Sequence, residues 1–71
     1  MMHSAKEILI AAETACTGLP WEAMGVAWLP GNQSWEIALQ HREGQQTRLV
    51  TVRDEVRALH DFRDATRKAA R

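Results

Sequence analysis

The chain has 71 residues, nine basic and nine acidic side chains and one cysteine. That is the size of one small domain, spanning 1–71, whose core rarely supplies more than about 3–5 kcal/mol. Balanced charge argues against a strongly basic nucleic-acid or membrane binder, and the lone Cys16 excludes an internal disulfide and four-cysteine zinc schemes.

Ser4-Ala5-Lys6-Glu7 has the spacing of a capping box, in which the Ser4 hydroxyl accepts from the backbone of Glu7 and Glu7 reaches back to Ser4. Ala5, Ile8, Leu9, Ala12 and Cys16 then share one helical face. Gly18 suits the left-handed residue that ends a helix, and Pro20 blocks continuation. The pattern predicts a helix over 5–17. Trp21 follows in the connection, outside both flanking periodic patterns, either as a plug for one end of the core or as an exposed anchor for a partner.

Met24, Val26 and Trp28 alternate with Gly25 and Ala27, and Trp35, Ile37 and Leu39 alternate with Glu36, Ala38 and Gln40. Both runs have the period of a strand. A turn at Gly31-Asn32, with Gly31 supplying a positive φ, pairs Trp28 with Trp35, Val26 with Ile37 and Met24 with Leu39. A second turn at Glu43-Gly44 pairs Leu39 with Arg48, Ile37 with Val50 and Trp35 with Val52. One face is then Met24, Val26, Trp28, Trp35, Ile37, Leu39, Val50 and Val52. The other is mostly small or polar, with Ala27, Ser34, Glu36, Ala38, Gln40, Thr47 and Thr51, and with Leu29 and Leu49 as its exceptions. A slip of one residue in either turn would exchange the faces, so the agreement of two separate turns is informative.

A last helix opens at Thr51 or Arg53. Val56, Leu59 and Phe62 form its buried stripe beside Ala58, Ala65 and Ala69, and Arg57–Asp61 and Asp64–Lys68 pair on its wet side. The fold class is α+β. The expected architecture is a two-layer sandwich in α-β-β-β-α order, a three-stranded antiparallel meander with both helices packed on one face. The longest apolar run, Ile8 to Ala12, is far short of the ~20 residues a membrane span needs, which suggests a soluble, cytoplasmic protein.

Chemistry is hard to place on this pattern. Ser4 is a helix cap and Ser34 flanks a turn, with no histidine or acid at a suggestive spacing to either; the four glycines are scattered singly. His60 and Asp64 lie one turn apart, but a metal site needs three or four ligands. Cys16 falls at a helix C-terminus, where the dipole disfavours a thiolate. No enzyme activity, cofactor or metal is expected. Trp28 and Trp35 face each other as a core pair. Leu29 and Leu49 on the outer sheet face, with Trp21, are the candidate protein interface, and the open sheet edges offer a second route.

Basic residues are uneven. Residues 35–71 carry eight basic and six acidic groups, and Arg57, Arg63, Arg67, Lys68 and Arg71 fall on or beside the last helix. The element order resembles the topology of double-stranded-RNA-binding domains, which implies phosphate contacts from the last helix. Where those domains carry a lysine cluster, this chain reads Arg53-Asp54-Glu55-Val56-Arg57, with acids interleaved, and the loop after the first strand lacks their histidine. The first expectation is a small non-enzymatic interaction module, an adaptor, inhibitor or assembly subunit that binds another protein or itself as a homodimer. The second is a nucleic-acid-binding domain that uses the C-terminal helix.

Overall fold

The computed structural model describes residues 2–55 and 58–69, with the backbone alone for Ala58, Phe62, Thr66, Arg67 and Ala69. Its elements are α1 (Ala5–Ala15), β1 (Trp21–Leu29), β2 (Ser34–His41), β3 (Thr47–Arg53) and α2 (Ala58–Ala69). The strands form an open antiparallel sheet in the order β1-β2-β3. Helix α1 packs on β1, β2 and α2, and α2 packs on β3, so the α+β class holds.

The capping box forms as read. Ser4 Oγ accepts from the Glu7 N–H at 3.2 Å, and Glu7 Oε1 accepts from the Ser4 N–H at 3.1 Å. The helix stops two residues short of the expected Thr17. Cys16 caps it, Gly18 follows at φ +81°, and the Leu19 N–H donates to the Cys16 carbonyl at 3.0 Å. The left-handed turn closes the helix because glycine has no Cβ to clash there. Its buried face is Ile8, Ala12, Ala15 and Cys16, while Ala5, assigned to that face from the sequence, is exposed.

Trp28 pairs with Trp35 and Val26 with Ile37, as the first turn implied, and β3 follows the expected register without interruption. The pairing of Met24 with Leu39 does not occur. The ladder shifts between Ala23 and Gly25, so Ala23 stands opposite Leu39 and Met24 is the extra residue of a bulge, 58% exposed. The physical reason lies at the start of the strand. In an uninterrupted register the core face would carry Met24 and Glu22, and Trp21 would point away from it. The bulge reverses the phase, so that Trp21 enters the core at 3% exposure while Glu22 is exposed. Burying an indole and freeing a carboxylate outweighs losing one methionine from the core.

The first hairpin loop also differs from expectation. Asn32 N–H donates to Leu29 O at 3.2 Å, and the one positive φ among non-glycine described residues is at Gln33, 51°, not at Gly31. The loop is four residues long, a tight turn closed by a left-handed residue. Ser34, placed on the outer face, is buried, and its hydroxyl donates to the Asn32 carbonyl at 2.9 Å.

The core joins Ile8, Ala12 and Cys16 of α1 to Trp21, Trp35, Ile37, Leu39, Val50 and Val52 of the sheet, with Ala65 of α2 packed against it. Leu59, expected in the buried stripe of α2, is 37% exposed. Val56 of that stripe and Arg57 of the expected Arg57–Asp61 pair lie outside the described residues.

Candidate functional site

The sheet rows fix what the face away from the core presents. Reading across β1, β2 and β3, they are Glu22–Gln40–Thr47, Gly25–Ala38–Leu49, Ala27–Glu36–Thr51 and Leu29–Ser34–Arg53. Leu49 is 65% exposed and Leu29 half-buried. The two leucines do not form one patch. They sit on opposite edge strands and four residues apart along β2, a separation of roughly 17 Å from strand spacing and rise. What Leu49 does share is a row with two small residues, Ala38 and Gly25, next to the exposed Met24. The row itself follows from alternation; what alternation did not show is the exposed Met24 at its β1 end, which the bulge produces.

Trp21 is not an exposed anchor. Its ring lies edge-on to His41 at 5.1 Å, and the Arg48 guanidinium sits 4.7 Å from its centroid. The arginine covers the π-face that would otherwise end the core. The His41 imidazole is fixed as well, since Nδ1 accepts from the Glu43 N–H at 3.2 Å. Trp28 and Trp35 pack with centroids 4.9 Å apart and planes tilted by 57°.

A second constellation gathers at Asp54, which sequence reading assigned only to a helix start. The Asp54 side chain is 2% exposed. It accepts from the Met2 N–H, from the His3 N–H at 3.2 Å and from the Trp35 indole Nε1–H at 3.2 Å, and His3 Nδ1 lies 2.9 Å from Oδ1. The Asp54 N–H donates in turn to the Gln33 carbonyl at 2.9 Å. Burial pushes the carboxyl up, but the hydrogen bonds from His3, Met2 and Trp35 outweigh it and hold the group down at about 2. The junction has every feature of a structural clasp: its donors converge on one carboxylate.

A shallow cleft of about 240 Å³ opens between the end of α1, the start of β1 and the loop after β2, lined by Glu13, Cys16, Glu22, Ala23 and Arg42. Burial pushes the Cys16 thiol up, and the nearby Arg42 charge opposes this only in part. The thiol therefore stays protonated and weakly nucleophilic at neutral pH. Among the described residues, no group of three or more His, Cys, Asp or Glu side chains is placed to hold a metal ion. No described helix is long and apolar enough to cross a membrane.

On α2, Arg63 and Lys68 are exposed, interleaved with Asp61 and Asp64. Arg63 and Lys68 are five residues apart, about 140° around a helix, so they do not share a face. No ion pair joins Asp64 to Lys68, although both are described. The backbone of Arg67 continues the helix, and Arg57 and Arg71 lie outside the described residues. No family model, no curated protein and no solved structure matches the chain.

Proposed function

We propose that this chain is a small protein-interaction module, a binding protein rather than an enzyme. Its contact surface in this reading is the sheet face opposite the core, continued onto the sheet's open edge. Both helices are taken to lie in one layer, which leaves the other face of the three-stranded meander bare. The observation that carries the reading is the row Gly25, Ala38 and Leu49, apolar across all three strands, with Leu49 65% exposed and the bulge residue Met24, 58% exposed, next to it in the chain. Flat apolar surface of this kind favours association, and the small residues at its centre let another backbone approach closely.

The reading is tested by retention of proteins from cell extract on the immobilised chain, compared with a Met24→Lys/Leu49→Lys variant. The wild type should hold a defined set that the variant loses while keeping its fold by circular dichroism. Identical sets from both proteins would sink the assignment of this face. Nucleic-acid binding through α2 is the weaker reading, because Asp61 and Asp64 interrupt its basic residues. Its signature would be an affinity that falls steeply with salt.

A further inference from the structure

We infer that the partner seated on the open sheet edge is a second copy of this chain, joined β3 to β3 about a two-fold axis through Val50. The inference deepens the interaction reading and rests on it. The two edges of the sheet are not alike. On β1 the ladder is broken by the bulge at Met24, a device that twists an edge away from pairing. On β3 the seven residues Thr47–Arg53 run without a bulge, a proline or a glycine and are rich in β-branched side chains. Among the described residues β3 has one strand neighbour, β2, so it is an edge strand open to a further strand on its other side.

The β3 sequence also fits itself. An antiparallel pair centred on Val50 uses all seven residues of both copies. Leu49 then faces Thr51 of the second copy, Arg48 faces Val52, and Thr47 faces Arg53. Core-face residues meet core-face residues, because buried Val50 and Val52 keep their phase across the junction. No charge opposes a like charge. A slip of one residue in either direction joins the core face of one copy to the outer face of the other, and in one direction it also sets Arg48 against Arg53. Helix α2 packs on β3, so the pairing also brings the two copies of α2, each with a 37% exposed Leu59, to the two sides of the axis. Each copy then belongs to a six-stranded sheet, and the exposed Leu49 gains a cross-strand neighbour.

Charge reversal across the junction tests both the pairing and its register. Sedimentation equilibrium should show the wild type as a dimer. Leu49→Lys/Thr51→Lys sets lysine against lysine twice and should raise the dimer dissociation constant by about tenfold or more. Leu49→Lys/Thr51→Glu sets lysine against glutamate twice and should restore it. Both positions are exposed, and a dispersed amide spectrum checks that each variant is folded. A wild type that is monomeric at all concentrations overturns the inference while leaving a heterologous partner for the face. A dimer that the Lys/Lys pair does not weaken, or that the Lys/Glu pair does not restore, overturns the β3 pairing in this register.

Discussion

At Asp54 a covered carboxylate accepts from two backbone amides and an indole and lies against an imidazole, and its proton affinity follows from that company. The folded carboxyl titrates at about 2, below the value of about 3.9 for an unfolded aspartate. A lowered folded pKa means that the unfolded chain takes up the proton first. The contribution is therefore complete above about pH 4 and is lost as pH falls toward about 2. Denaturant midpoints measured from pH 6 to pH 2 should drop through that window, and Asp54→Asn should both lower the neutral plateau and flatten the drop. A variant whose profile parallels the wild type would assign the acid sensitivity elsewhere. Nothing in the sequence announced this site. Its donors at Met2 and His3 are 52 and 51 residues away, and no local spacing links them. The capping box three residues on was legible because its partners lie within one turn.

Among the elements, β1 shows best where pattern reading holds and where it breaks. Alternation from Val26 to Trp28, and through β2 and β3, gave the correct pairing because each side chain's face is fixed by its parity. It failed at Met24, where the parity of Trp21 and Glu22 opposes that of the rest of the strand. That conflict was present in the sequence: an indole and a carboxylate on the wrong faces at the strand's beginning. The bulge resolves it by adding one residue. Deleting Met24 should then leave the pairing of Ala23 with Leu39 and of Trp21 with His41 intact, at a cost within about 1 kcal/mol. Inserting an alanine after Met24 should instead, in a regular ladder, leave Trp21 on the core side but carry it two rows past His41, off the end of β2, and cost about 3 kcal/mol or more, as loss of a buried tryptophan does. Thermal unfolding of the two length variants separates these outcomes; equal destabilisation would show that the bulge does not set the phase. The Gln33 turn was unreadable for a different reason. Glycine is the usual bearer of positive φ, and Gly31 stood nearby to claim the role.

At the scale of the molecule, and among the described residues, the sheet and α1 supply most of the core, and α2 adds Ala65 to its edge. The candidate surface was half legible. Leu49 was identified from its parity, but parity assigns only a face, and its supposed partner Leu29 lies on the opposite edge strand, as the strand order and register show. The Asp54 clasp has one more consequence, in time rather than in energy. Hairpins and the capped helix close loops of a few residues, whereas the clasp closes a loop of about fifty, after the sheet has placed Asp54 and Trp35 together. Its bonds should be absent from the folding transition state. In stopped-flow experiments Asp54→Asn should thus leave the refolding rate nearly unchanged and speed unfolding by the whole of its stability loss. A matching slowdown of refolding would place the clasp in the nucleus. The Met2–His3 segment is, in this account, the last latch to close and the first to open, and it sets how long a folded molecule persists rather than how fast one forms.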